Sequence, residues 1–577
     1  MDVTALIRDG ADQLRKALRR GADDGPLVLE LDLTRGVIDA PPQNPVAMLR
    51  ARQTPTMAAI REGLRAGAED PDVAGLIVDL GPGHIAPAQA DELAGLIGRF
   101  GEHKPTVAFA PTFGELGNGI FAYRLAAAAG DIWVQPSGML SLAGVQARMM
   151  LLRGGFEKLG IEPEFAQRWQ YKTAADTYAA TEISEAYRES TRGIADSVLG
   201  SVVDAVATGR GLESVEVRGA VDDAPLGSRA GQDRGLVDAI GYRDEAYAHA
   251  RRAWGGDDGE IRLRYVHRYA EKHGGGPLAP LLNRARSAVG VVSVHGAIVT
   301  GISQPGGLNG QTAGSDTVCA ALRAAGRDEK VKAVVLRVDS PGGSYVASDA
   351  IRREVQQLRE AGKPVVASMG QTAASGGYFV AMPCAEIVAN PTTLTGSIGV
   401  LAGKLITTGL VDKLGLVREA VDAGRRAGMM AGTQPFTPEE WEVLNGWLDE
   451  VYADFTGKAA ADRRMELTAL EPLARGRVWT GADAARNGLV DHLGGLDLAI
   501  DRACELAGVD RDDLVTRPVP MPSPLSQLRG TENSEAVGAA GALSLSPGWE
   551  GLLELAGAAL GIRHRGVLSL PVDIRLG

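Results

Sequence analysis

The chain repeats itself, and that property restricts it to folds assembled from two copies of a common unit. Residues 123–145 read YRLAAAAGDIWVQPSGMLSLAGV, and residues 378–400 read YFVAMPCAEIVANPTTLTGSIGV. Both open on Tyr, share a (Asp/Glu)-Ile-x-(Val/Ala)-(Gln/Asn)-Pro centre and close on Gly-Val, at an offset of 255 residues. Farther on, Gly235-Leu236-Val237-Asp238 returns as Gly488-Leu489-Val490-Asp491 at an offset of 253. Upstream, Lys104-Pro105 returns as Lys363-Pro364 at an offset of 259. Each half also opens on a β-rich run, PLVLELDL from Pro26 and VGVVSVHG from Val289. Matches in one order at a nearly constant spacing are the signature of a duplicated structural unit.

Within the second unit, KAVVLRVD (332–339) has the pattern of a buried strand, and YVASDAIRREVQQLREAG (345–362) that of an amphipathic helix ended by Gly. KPVVASMG returns as a strand and SGGYFVAMPC begins another helix, so the unit is predicted to be an α/β domain with crossover connections. The expected organisation is an amphipathic helix at 1–25, a first domain at 26–268, a linker at 269–286 around HGGGPLAP, and a second domain at 287–512. A partly disordered tail rich in Pro, Ser, Gly and Ala is expected over 513–577. Its WEGLLELAGAALGI segment could dock as a helix but is too short to span a bilayer. PEEWEVLNGWLDEVYADFTGKAAADRR (438–464) reads as a long helix able to clasp a neighbouring unit.

A chain of 577 residues is too long for one core, and its 45% apolar and 23% charged residues are those of an ordinary globular protein. A net charge of -12 argues against nucleic acid as the main partner. Cys319, Cys384 and Cys504 have neither metal-ligand spacing nor the makings of a disulfide framework. Residues 1–25 carry charges in every turn and lack the apolar run of a signal peptide or membrane anchor. Val3, Leu6, Ile7, Leu14 and Leu18 could line one helical face, packed on the body or laid on a membrane surface. The expected location is cytoplasmic, with peripheral contact at the inner face of the cell membrane left open.

Two glycine-rich turns carry the chemistry. Ser340-Pro341-Gly342-Gly343-Ser344 joins a strand to a helix, where paired glycines leave N–H groups free for an oxyanion, although an ordinary turn reads the same way. One strand later, Ala373-Ala374-Ser375-Gly376-Gly377-Tyr378 puts a serine where strand gives way to helix, as a nucleophile or as an N-cap. No histidine fits as its base: His295 follows a strand, His84 sits in a Gly-Pro-Gly-His turn, and G-x-S-x-G is absent. Lysine can serve if burial leaves its amine neutral. Under the 255-residue offset Ser375 falls on Ile120, while Lys172 in YKTAAD falls on Ala427, or on Arg426 with a one-residue slip. The first unit therefore holds a candidate lysine without a serine and the second the reverse, with a solvated surface lysine as the plain alternative for Lys172.

SPGGS (340–344), AASGGY (373–378), TGSIGV (395–400) and YKTAAD (171–176) together resemble signal peptide peptidase A in its long, double-domain form, over roughly residues 26–512. The resemblance implies a ClpP/crotonase-like α/β fold and a serine–lysine dyad shared between tandem domains. It implies Ser375 as nucleophile, Lys172 as general base, Gly342, Gly343 and Gly376 at the oxyanion hole, and Ser397 orienting the lysine. It also implies small or apolar peptide substrates, no metal or organic cofactor, and a homo-oligomer, as a tetramer, enclosing a hydrophobic groove. Long-form relatives carry an N-terminal membrane anchor, which residues 1–25 do not match. A crotonase-type acyl-CoA enzyme and an inactive scaffold of the same fold are the competing readings.

Overall fold

The computed structural model describes residues 25–39, 54–81, 85–115, 117–255, 260–273, 286–304, 311–519 and 567–569. The first unit is built on a six-stranded parallel sheet in the order Ala239–Ile240, Asp131–Val134, Thr106–Ala110, Val73–Asp79, Leu27–Asp32, Arg262–Tyr265. The second has an eight-stranded sheet whose main path runs Val478–Thr480, Leu394–Gly396, Val365–Ala374, Val331–Ser340, Ala288–His295, Val515–Pro518. Glu386–Ala389 branches from the side of Val365–Ala374 and carries His492–Leu493. Only Val478–Thr480 runs antiparallel to its neighbour in this sheet. Helices cover both faces, which is why strands such as Val365–Ala374 are buried along almost their whole length rather than at alternate positions. The chain is thus α/β with duplicated ClpP-like domains.

The motifs that betray the duplication do the same work twice. Tyr123 donates its hydroxyl proton to the Leu236 carbonyl at 2.7 Å, and Tyr378 does so to Leu489 at 3.0 Å. Asp238 accepts the Ile132 N–H and Asp491 the Ile387 N–H, both at 2.7 Å. Arg210 and Arg463, in the last turns of two 26-residue helices (Glu185–Arg210 and Pro438–Arg463), close each arrangement on that Asp at 2.7 Å. Gly-Leu-Val-Asp is therefore a staple that fastens a long helix and a sheet edge to the helix carrying the tyrosine.

The units interlock. Glu162–Gln167 of the first pairs antiparallel with Leu401–Ile406 of the second. Asp91 of the first, fully buried, accepts the Thr392 hydroxyl at 2.7 Å, and Glu92 pairs with Arg337 at 2.7 Å. Several boundaries differ from the sequence expectation. Helix Val266–His273 runs through residue 268, because Tyr269 is buried and donates to Asp70 at 2.7 Å; the rest of the expected linker, 274–285, lies outside the described residues. The expected tail contributes Val515–Pro518 to the second sheet, against Ala288–His295. It also contributes Leu568–Ser569, antiparallel to Gly342–Gly343. The expected helices at 1–25 and 549–562 fall outside the described residues. Among the described residues no helix is long and apolar enough to cross a membrane.

Candidate active site

Each residue of SPGGS has a local task. Ser340 ends its strand and accepts the Gly342 N–H at 3.1 Å, while Ser344 caps helix Tyr345–Glu360 by accepting the Ala347 N–H at 3.3 Å. Between them Gly342 has φ +97°, and a Cβ there would collide with the Leu568 carbonyl and lie 2.6 Å from Gly376 N. The two glycine turns are thus packed backbone against backbone. The Gly342 N–H is committed to Ser340, so this residue supplies space, whereas Gly343 and Gly376 sit with their nitrogens on the face the turns share.

Ser375 ends the strand Val365–Ala374 and precedes helix Gly376–Ala381. It occupies the N-cap position, but its side chain makes no capping bond, and its backbone is held at φ +56°, ψ −114°. That conformation costs a non-glycine residue on the order of 1–3 kcal/mol and persists only where surroundings enforce it. Here the enforcing contact is the Ser375 N–H to the Gly396 carbonyl at 2.8 Å. The matching bond in the first unit runs from Gly119 N to Ser141 O at 2.9 Å, so the structural counterpart of Ser375 is Gly119, one residue before Ile120. The turn before the shared tyrosine is one residue longer there, and neither residue offers a nucleophile.

Lys172 is fully buried, not the solvated lysine that most lysines are. Its Nζ lies 2.9 Å from Ser375 Oγ, 3.0 Å from Ser397 Oγ and 3.2 Å from the Ser397 carbonyl oxygen. Burial alone pushes its amine down to about 7. The structure thus brings together Lys172, Ser375, Ser397, Gly342, Gly343 and Gly376 across the junction of the two units. His295 has the acidic neighbour its sequence context did not reveal, since Asp339 stands opposite it in the strand register at 3.7 Å, but neither side chain bonds Lys172 or Ser375. His84 falls outside the described residues. Ala427 and Arg426 are exposed in a turn. Among the described residues no group of three His, Cys, Asp or Glu side chains could hold a metal ion.

Sequence reasoning missed the clamp on the lysine. A Cβ on Gly476, which has φ +81°, would lie 2.5 Å from both Lys172 N and Lys172 Cβ, so only glycine lets this backbone pass. On either side, the Arg475 guanidinium sits 4.7 Å from the Trp169 ring centre, and Arg477 lies between Tyr171 at 4.8 Å and Trp479 at 4.6 Å. Arg477 also pairs with Glu189 at 3.1 Å. The one legible signal was Arg-Gly-Arg following a helix, which spacing does not connect to residue 172.

A buried lysine–serine contact at the junction of duplicated ClpP-like domains defines a class, and the molecule is a serine peptidase. Its family follows from comparison: the chain belongs to peptidase family S49, whose sequence profile matches twice, over residues 101–255 and 357–510. The chain is similar to the chloroplastic serine protease SPPA of Arabidopsis thaliana, 31% identical over 462 residues, covering 80% of this chain and 67% of that protein. It is similar to Protease 4 of Haemophilus influenzae, 30% identical over 467 residues, covering 78% and 72% respectively. Protease 4 of Salmonella typhi is 31% identical over 398 residues, covering 67% of this chain and 62% of that protein.

Proposed function

We propose that the chain hydrolyses peptide bonds in small or apolar peptides, with Ser375 as nucleophile and Lys172 as general base. The observation that carries this reading is the 2.9 Å approach of the Lys172 amine to Ser375 Oγ in a buried setting. A neutral amine there accepts the serine proton as Oγ attacks the carbonyl carbon, and Ser397 holds the amine in line. The N–H groups of Gly343 and Gly376 receive the oxyanion. The lysine returns its proton to the leaving amine, and water then hydrolyses the acyl-enzyme. Because the neutral amine is the base, kcat/KM is expected to rise with pH through about 7 and level off above it. Fluorophosphonate labelling and fluorogenic-peptide hydrolysis test the dyad. Wild type should label at Ser375, while Ser375→Ala and Lys172→Met should each lose activity, by at least about 100-fold for the lysine. Equal behaviour of all three proteins would return the inactive-scaffold reading.

The same reading includes self-assembly. Lys158-Leu159-Gly160 leads into Glu162–Gln167, which pairs with the second unit, and Lys413-Leu414-Gly415 leads into residues 417–422 at the same offset of 255. Those residues form no strand, and Val417 and Val421 are 98% and 93% exposed. The duplicate of their missing partner is the stretch 146–151 of the first unit, which alternates exposed and half-buried positions. A second copy offering 146–151 to 417–422 would repeat the intrachain pairing head to tail. Such contacts close into rings when the rotation allows.

A further inference from the structure

The strand that delivers Ser375 changes partners on the way. Up to Met369 it runs beside Glu386–Ala389, with Val366 opposite Glu386 and Met369 opposite Ala389. From Thr372 it runs beside Leu394–Gly396, the strand that leads to Ser397, with Ala374 opposite Gly396. The exchange takes place at a bulge. On the other flank Val338 pairs with Met369 and Ser340 with Ala373, so the single residue Asp339 spans Gly370, Gln371 and Thr372. Bulges bend a strand and re-aim the side chains beyond it. This one sets the register in which the Ser375 N–H meets the Gly396 carbonyl and its hydroxyl meets Lys172.

We propose that Asp339 is a positioning residue for the hydrolysis, bracing this bulge and through it Ser375; the proposal rests on the Ser375–Lys172 reading. Its Oδ1 accepts the Thr372 N–H at 3.0 Å, standing in for a ladder carbonyl of the neighbouring strand. The carboxylate has room because residue 370 is glycine: a Cβ there would lie 3.0 Å from Asp339 Cβ and 3.1 Å from its Cγ. The other bulge residues are tied down as well. The Thr393 hydroxyl donates to the Gly370 carbonyl at 2.7 Å. The Gln371 side-chain oxygen accepts the Ala88 N–H at 3.0 Å, in the first turn of helix Pro87–Gly101 of the first unit. The Asp339 backbone serves the other glycine turn. Its carbonyl accepts the Gly296 N–H at 2.9 Å, and the next residue, Ser340, holds the Gly342 N–H. One residue thus joins the turn proposed to receive the oxyanion to the strand that carries the proposed nucleophile. Asp339 bonds neither Lys172 nor Ser375, so it acts through the backbone it holds.

Asp339→Ala, Asp339→Asn and Gly370→Ala test this against wild type. The readouts are hydrolysis of a fluorogenic apolar peptide, fluorophosphonate labelling, and hydrogen exchange followed by mass spectrometry. Asp339→Ala frees the bulge, and a displacement of about 1 Å at Ser375 should lower kcat by about 100-fold with KM little changed. Labelling should slow in parallel, and exchange over residues 366–378 should quicken. Asp339→Asn keeps an oxygen for the Thr372 N–H in the same volume, so it should recover most of the lost kcat and the wild-type exchange. Gly370→Ala leaves the carboxylate in place but presses on it by a few tenths of an ångström, which should lower kcat by about tenfold. This variant decides the matter should Asp339→Ala fail to fold. A folded Asp339→Ala or Gly370→Ala protein with wild-type kcat overturns the proposal. So does an Asp339→Asn protein as slow as Asp339→Ala, because charge and not the hydrogen bond would then be at work. Failure of wild type to label or to hydrolyse the peptide strikes the dyad reading instead, and the exchange pattern still tests whether Asp339 holds the bulge.

Discussion

Lys172 is placed where a protonated amine is costly, and among the described residues no carboxylate stands by to compensate. Its proton affinity falls from the ordinary lysine value to about 7 because burial removes the water that would solvate the charge. The unfolded chain therefore binds one proton more than the native one between pH 7 and about 10.5, and the native state carries the penalty. The sign follows: the penalty is complete below pH 7 and fades as pH rises toward 10.5. Lys172→Met, which removes the charge and keeps the volume, should stabilise the protein at pH 7 by a few kcal/mol, with roughly 4 as the ceiling. The difference from wild type in urea unfolding should shrink as pH is raised from 7 to 10. A gap that stays constant with pH, or a destabilised variant, would mean the amine is not held neutral by burial. The strained Ser375 backbone belongs to the same pattern, in which stability is given up where chemistry is done.

The elements around the dyad show what a sequence discloses and what it does not. Gly-Leu-Val-Asp was legible because each copy must bind an edge N–H and an arginine, and the same need in both units preserved the same residues. Ser375 was legible as a candidate because it stands in a glycine-rich strand–helix turn, with an N-cap left open, and Lys172 because its unit lacks that serine, with a surface lysine left open. The distance between them was hidden, since it depends on Glu162–Gln167 crossing to pair with Leu401–Ile406. No local periodicity encodes that pairing. Gly476 was hidden for the same reason: its partner, Lys172, is 304 residues away, and a lone glycine between arginines has no pattern. Gly476→Ala tests the clamp. The added methyl meets backbone rather than a yielding side chain, so the lysine-bearing turn must shift. A displacement of about 1 Å costs on the order of 100-fold in rate. Peptide hydrolysis should fall to that extent while Ser375 still accepts a fluorophosphonate slowly. Wild-type kcat from a folded Gly476→Ala protein would show that the lysine is positioned by other contacts.

At the level of the whole molecule, duplication divides the lysine–serine contact between two units and leaves a mismatch at the ends. In the first unit the segment after Lys-Leu-Gly becomes the strand Glu162–Gln167 because the second unit offers it Leu401–Ile406. In the second unit the corresponding residues 417–422 have no third unit to meet, and their two valines face solvent. Exposed valines are a liability for a monomer, and the proposed second copy would cover them. Val417→Lys together with Val421→Glu should break self-association in light-scattering chromatography. The dyad lies at the intrachain junction, so each resulting monomer should keep its Ser375 labelling. Met150→Lys, on the counterpart stretch where Met150 is 59% exposed, should give the same monomer from the other side. Mixing the two variants should not restore closed rings, because each copy then lacks one of the two edges a ring consumes, although heterodimers through the intact edges should form. A wild type that runs as a monomer would remove the ring, and oligomers indifferent to both variants would move the interface elsewhere.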